Sequence, residues 1–222
     1  MTAPAMTQSA PDETPVTGDG DRRPARRYGI LAVAAAVVVG LLLGYAGGLL
    51  TPSLTRPGDT SAEAGFARDM TTHHAQAVEM GLIAFQEGTD LEVRQIGGDI
   101  ATGQQGEIGT MQTWLRSWGL DPTGSQPAMA WMPDGRDSVQ NGLMPGMATP
   151  QEMAQLRAAQ GHDLDVLFLR MMIKHHLGGI HMIQGILDHG GDDDVRMVAQ
   201  TMKNTQQTDL VNLQNALKRL GG

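Results

Sequence analysis

An internal repeat constrains the fold of this 222-residue chain more than any other feature of its sequence. A shift of 102 residues places residues 66–119 on residues 168–221 without a gap, and 15 of the 54 aligned positions are identical. The identical positions include two adjacent histidine pairs, His73-His74 and His175-His176. Because chance alignment gives far fewer identities, we interpret the pattern as the duplication of one structural unit.

Each copy of the repeat is predicted to form two helices joined by a glycine-containing turn. In the first copy, two capping-box patterns predict helices over about residues 60–87 and 89–118, and Gly119 follows as a helix-ending residue. The capping-box pairs are Thr60 with Glu63 and Thr89 with Glu92. In the second copy, a helix is predicted to begin at Thr149-Pro150, to be interrupted at Gly161 and to resume through His189. The last helix is predicted to start at Asp192.

A stripe of apolar residues and histidines, stepping by four and three, runs along the first helix of each copy and predicts a core-facing surface. The stripes are Phe66, Met70, His73, Ala77, Met80 and Ala84, and Phe168, Met172, His175, Gly179, Met182 and Ile186. The low aromatic content of 4% argues against an all-β fold. The expected fold is therefore all-α, a ferritin-like four-helix bundle of two repeated hairpins with one long crossover.

The N-terminal quarter has a different character from the repeat. Residues 1–28 are polar, end in four arginines and are predicted to be a disordered cytoplasmic tail, while residues 29–50 carry no charge. That run predicts a transmembrane helix or signal anchor, with the C-terminal part outside the cytoplasm. A cleaved signal peptide is the alternative, which would make the protein secreted. Residues 51–60 are predicted to be a linker, and residues 61–221 the bundle, with a methionine-rich crossover at 120–148.

Composition excludes several classes of function. The net charge of −8 argues against a nucleic-acid-binding protein, which carries a basic face. The absence of cysteine excludes disulfides, thiolate metal sites and a cysteine nucleophile. By contrast, 15 methionines and 7 histidines supply soft ligands, and all the histidines follow residue 72. A metal ion and the membrane are the expected partners, and the oligomeric state stays open.

The paired histidines and their neighbouring methionines are the candidate metal ligands. Each pair has a methionine four residues before its second histidine and another seven residues after its first, which places imidazole and thioether groups on one helical face. The primary candidates are His73, His74, His175 and His176, with Met70, Met80, Met172 and Met182 around them. The further candidates are His181, Asp69, Glu107, Met144 and Met147. Met144 and Met147 flank a Pro-Gly turn that could close over the site or feed it.

Two simpler interpretations stay open. A histidine in an apolar stripe is commonly a hydrogen-bonded core residue, and methionines commonly serve packing. Glu107 lies on a core-facing surface of the second helix, and a buried carboxylate needs a partner, which Arg68 and Arg170 could supply as well as a metal. If a metal binds, thioether ligands favour copper, above all Cu(I), over the carboxylate-preferring di-iron site of ferritins.

The sequence also resembles a known family. The His-His-x-x-x-x-x-Met motifs, the Met-Pro-Gly-Met segment before the second copy, and the stretch from Gln104 to Leu115 are similar to domain-of-unknown-function family 305. That family includes copper-resistance proteins of the CopM type. The resemblance covers residues 60–220 and implies an exported ferritin-like bundle, with copper binding or tolerance for some members.

Function is therefore predicted as membrane-anchored extracytoplasmic capture, buffering or tolerance of copper. The alternatives are a redox enzyme of the ferritin-like class that oxidises Cu(I) or Fe(II), and a structural interaction domain without metal. Many loosely placed thioethers suit capture better than electron transfer, so an enzyme is the less favoured interpretation.

Overall fold

A computed structural model of the protein describes residues 25–222, and every regular element within them is a helix. This confirms the all-α prediction. The elements are α1 (Ala25–Thr55), α2 (Ala62–Glu87), α3 (Leu91–Trp118), α4 (Gly135–Ser138), α5 (Pro150–Ala158), α6 (Gly161–His189) and α7 (Asp193–Arg219).

Helix α1 forms a unit separate from residues 56–222. Its stretch Gly29–Leu49 is long and apolar enough to cross a membrane, a test that a signal sequence near an N-terminus also passes. The predicted cytoplasmic tail lies outside the described residues up to position 24, and residues 25–28 already belong to α1. The helix also continues into the predicted linker and ends at Thr55, because Pro57 disfavours a helical conformation at Arg56.

The remaining long helices form two hairpins, α2 with α3 and α6 with α7, joined by one long crossover. The four-helix arrangement agrees with the prediction, and its ferritin-like relationship stays a prediction. The stripes expected to face the core are buried in both α2 and α6. The chain also breaks where expected, between α5 and α6, where Gly161 adopts a positive φ of 59°.

The helix caps differ from the predicted capping boxes in the first copy. Ser61, rather than Thr60, caps α2, and Asp90, rather than Thr89, caps α3. The reason is tertiary: Glu63 accepts hydrogen bonds from Gly191 N at 2.6 Å and Asp192 N at 3.2 Å. Thr89 similarly donates to the carboxylate of Asp165.

The crossover is packed onto α2 by polar side chains of that helix. Asp69 accepts from Met129 N at 2.7 Å and from the Trp131 indole at 2.8 Å. Gln76 exchanges two hydrogen bonds with the backbone of Ala148, at 2.9 and 2.7 Å. The crossover is thereby held against the part of α2 that carries the first histidine pair.

Candidate metal centre

Two histidines from different hairpins face each other in the core. His73 of α2 and His175 of α6 are 0% and 1% exposed, and their ring centroids are 3.8 Å apart with an interplanar angle of 36°. Both occupy the same position of the apolar stripe, so packing α2 against α6 brings them together. We call His73 and His175 the facing pair.

The second histidine of each motif points within its own hairpin. His74 Nε2 lies 2.7 Å from Glu107 Oε2 on α3, and His176 Nε2 lies 3.3 Å from Asp209 Oδ2 on α7. Both contacts join residues 33 positions apart and occupy matching places in the repeat. Glu107, predicted as a possible metal ligand, is therefore placed as the hydrogen-bond partner of a histidine.

The partner of each ring decides which nitrogen carries the proton. The carbonyl of Pro145 can only accept, so the Nε2–H of His73 donates to it at 3.0 Å and leaves the Nδ1 lone pair free. The carboxylates of Glu107 and Asp209 likewise hydrogen-bond Nε2 of His74 and His176. In all three imidazoles Nδ1 is buried and has no hydrogen-bond partner.

Burial keeps the facing pair neutral. The pKa of His73 is lowered to about 3, and burial is the largest cause of this shift. The nearby His74 and His176 lower the pKa further, whereas the hydrogen bond to Pro145 raises it. Burial likewise lowers the pKa of His175 well below its usual range, with the proximity of His73 as the next cause. Neutral imidazole is the form that binds metal ions.

Each of the four paired histidines has one buried ring nitrogen without a hydrogen-bond partner. Within the described part of the chain, the buried side-chain nitrogen and oxygen atoms without a partner all belong to six residues of the two hairpins. They are Nδ1 of His73, His74 and His176, Nε2 of His175, Oε1 of Gln104, and Nε2 and Oε1 of Gln206. Leaving such a group unpaired costs about 1–3 kcal/mol, so their concentration indicates a site for a ligand.

The methionines predicted as ligands lie on both sides of the facing pair. Met70 and Met182 belong to one buried core cluster, and Met80 and Met172 belong to the other. Along α2, His73 lies between Met70 and Met80, so the two clusters flank the facing pair along the helix axis. All four methionines are fully buried.

Four predicted candidates lie elsewhere. Asp69 anchors the crossover, and burial raises the pKa of its carboxyl although Met129 and Trp131 donate to it. His181, whose side chain is 41% exposed, lines an open groove together with Met144 and Met147. Neither the Pro145 carbonyl nor Gln76 could be predicted from the sequence as a support of the site, since loop-to-helix contacts leave no periodic pattern.

The donor set is soft rather than hard. Among residues 25–222, no three His, Asp or Glu side chains are placed to hold one ion together. A metal at the facing pair would therefore need thioether sulfur beside its imidazole nitrogens. This combination fits Cu(I) and poorly fits Mg²⁺, Ca²⁺ or a carboxylate-bridged di-iron centre.

Comparisons with known proteins agree with this architecture. Residues 63–217 match the family model described as domain of unknown function, DUF305. A crystal structure of a DUF305 protein from Streptomyces coelicolor is 38% identical, with a TM-score of 0.69 over 74% of this chain and 97% of that one. A DUF305 fragment from Deinococcus radiodurans is 28% identical, with a TM-score of 0.60 over 71% of this chain and 96% of that one.

More distant structures share the fold. CopM in its Cu(I)-bound form is 22% identical, with a TM-score of 0.57 over 73% of this chain and 99% of that one. Among curated protein sequences, none matches this chain significantly.

Proposed function

Because this chain belongs to the DUF305 family, whose description assigns no activity, we propose a function from the site itself. The protein is a membrane-anchored, extracytoplasmic binding protein that captures copper as Cu(I) for buffering or tolerance. The facing pair, His73 and His175, supplies imidazole ligands, and the flanking methionines supply thioethers. His74 and His176 supply further imidazole ligands.

The observation that carries the proposal is the hydrogen bonding of the paired histidines. Histidines that bind metal almost always donate their other ring N–H to a carbonyl or carboxylate. His73, His74 and His176 each do so, to Pro145, Glu107 and Asp209, and each keeps an unpartnered buried nitrogen. A purely structural histidine would be expected to have both ring nitrogens satisfied.

Copper is favoured by ligand chemistry and supported by the fold. Thioether sulfur selects Cu(I) over Zn²⁺, whereas imidazole alone would not distinguish them. The structurally similar CopM proteins include Cu(I)-bound, Cu(II)-bound and silver-bound forms, at 21–23% identity. Silver and Cu(I) share the preference for soft ligands, which agrees with the donor set of this chain.

The anchoring part of the proposal depends on α1 and the sequence before it. The apolar stretch Gly29–Leu49 follows the cluster of four arginines, and positive charges flank the cytoplasmic side of a span. The bundle would then lie outside the cytoplasm, where a binding site without cysteine resists oxidation to disulfides.

The test is an anaerobic titration of the full-length protein in detergent with Cu(I), using bicinchoninate as the competing chelator, and a parallel titration with Zn²⁺. We expect Cu(I) to bind more tightly than Zn²⁺, and the loaded protein to consume no oxygen catalytically when air and excess Cu(I) are admitted. Equal or tighter Zn²⁺ binding would refute copper capture. Sustained oxygen consumption would favour the redox enzyme.

A further inference from the structure

The crossover builds a tight turn directly above the facing pair. Met147 N donates to Met144 O at 3.1 Å, and Gly146 has a φ of +80°, so residues 144–147 form a type II turn with Pro145 at its second position. The Pro145 carbonyl takes no part in the turn's own hydrogen bond. It is the group that accepts from His73 at 3.0 Å.

This turn is pressed closely onto α6. A Cβ atom added to Gly178 would collide with Pro145 O, so only glycine allows the approach at this position. Gly178 follows His175 by three residues, about one helical turn. The turn therefore covers the facing pair and contacts both helices that carry it.

The outer side of the same turn is a groove with soft donors. Its lining includes Met144, Pro145, Met147, Lys174 and His181, and we call it the outer groove. The Lys174 ammonium lies 3.5 Å from the Glu152 carboxylate, which offsets its positive charge, and His181 Nε2 lies 3.7 Å from Asp134 Oδ2. The groove therefore presents thioether and imidazole donors, the ligands that suit a soft metal ion.

The donors of the outer groove become steadily more buried towards the core. The His181 side chain is 41% exposed and Met147 is half-buried. Met144 is only 5% exposed, and it belongs to the same core cluster as Met70 and Met182. Soft ligands therefore continue from solvent to the methionines that flank the facing pair.

We propose that the outer groove is a second soft-metal site, formed by Met147, His181 and Met144, which captures Cu(I) from solvent and loads the buried site. The inference rests on the proposed function and adds a location and an order of events. The groove site binds first and more weakly, and the ion then passes beside the 144–147 turn to the facing pair.

The test compares Met147→Leu/His181→Gln with the parent full-length protein in detergent. Cu(I) uptake from its bicinchoninate complex is followed by anaerobic stopped-flow absorbance, and affinity is measured at equilibrium. We expect uptake to slow about tenfold, equivalent to about 1.4 kcal/mol in the barrier. The tightest equilibrium affinity should stay unchanged, and the weaker binding step should be lost.

The matched control is Met197→Leu/His189→Gln, which removes an exposed methionine and an exposed histidine outside the groove. It should leave rate, affinity and stoichiometry unchanged. An unchanged uptake rate in the groove variant would overturn the proposal, and so would loss of the tightest affinity, because the groove residues would then belong to one shared site. Neither result touches the proposed function, which is tested separately by the Cu(I) and Zn²⁺ affinities of the parent protein.

Discussion

At the scale of single residues, the Pro145 carbonyl determines which nitrogen of His73 is free. A backbone oxygen cannot be replaced by mutation, but the contact depends on Gly178, where a Cβ would collide with it. The chain therefore controls a side-chain tautomer through the position of a loop.

Gly178→Ala should push the 144–147 turn away from α6 and break the hydrogen bond of His73. We expect a loss of about 1–3 kcal/mol in the free energy of unfolding, measured by thermal or denaturant unfolding, because the neighbouring atom is backbone and cannot move alone. Gly109→Ala is the control. Gly109 is exposed on α3 and nothing lies within 4 Å of a Cβ added there, so this substitution should stabilise the protein by about 0.5–1 kcal/mol. Equal stability of the Gly178 variant and the parent would show that the close approach is not needed.

Glu107→Ala should weaken copper binding without removing a ligand. The substitution leaves His74 Nε2 without its acceptor, and loss of such a partner commonly lowers metal affinity about 10- to 100-fold. Competition titration with bicinchoninate measures the effect. Glu79→Ala, which removes an acidic residue on α2 that pairs with Arg157 at the surface, should leave the affinity unchanged. Identical losses in both variants would mean that only net charge matters.

At the scale of elements, each hairpin turn is held by a carboxylate of the other hairpin. Glu63 of α2 accepts from the turn before α7, and Asp165 of α6 accepts from Thr89 and Asp90 before α3. These two acids are themselves 102 positions apart, so the contact is reciprocal within the repeat. Each also places negative charge at a helix N-terminus, where the helix dipole favours it.

Glu63 should make stability depend on pH in the acidic range. Burial opposes its ionisation, but backbone N–H donors, including those of Gly191 and Asp192, outweigh burial and hold its pKa below the usual range. The unfolded chain therefore takes up the proton first. The stabilisation is full above the unfolded pKa of about 4.3 and is lost as pH falls through the lower folded pKa.

Glu63→Gln should consequently cost about 1–2 kcal/mol at neutral pH, with the difference from the parent shrinking below about pH 4. Thermal unfolding followed by circular dichroism across pH 3–7 measures it, with the exposed Asp99→Asn as a control of equal charge change. A constant difference between variant and parent at every pH would contradict the assignment.

The same elements show what the sequence could predict. The hairpins follow from periodic stripes and glycine stops, and α3 ends at Trp118 as expected. The capping residues of the first copy did not, because Glu63 and Thr89 have partners in the other hairpin that a local pattern cannot reveal. In the second copy, Thr149 and Asp192 cap the starts of α5 and α7 as predicted. The candidate histidines were found by their repetition, whereas the roles of Glu107 and Pro145 depend on which side chains and loops meet after folding.

At the scale of the whole molecule, the proposal requires the bundle to lie outside the cytoplasm. Protease applied to intact cells should remove residues 51–222 and leave the N-terminal segment protected. The reason is that the arginine cluster favours the cytoplasmic side of the membrane for that segment. Immunoblotting with tags at each end distinguishes the fragments, and lysed cells serve as the control for access. If the bundle resists the protease on intact cells but is digested after lysis, it lies in the cytoplasm and the proposed orientation is wrong.

The central claim is that the facing pair forms the buried copper site. The most direct measurement is the Cu(I) affinity of His73→Leu/His175→Leu in the full-length protein, beside His162→Leu/His189→Leu, which removes two exposed histidines. Leucine keeps the core filled, so circular dichroism should show unchanged helix content. We predict that the facing-pair variant loses most of its tight Cu(I) binding while the control retains it. If the facing-pair variant folds and binds Cu(I) as tightly as the parent, the histidines are structural and the account is wrong.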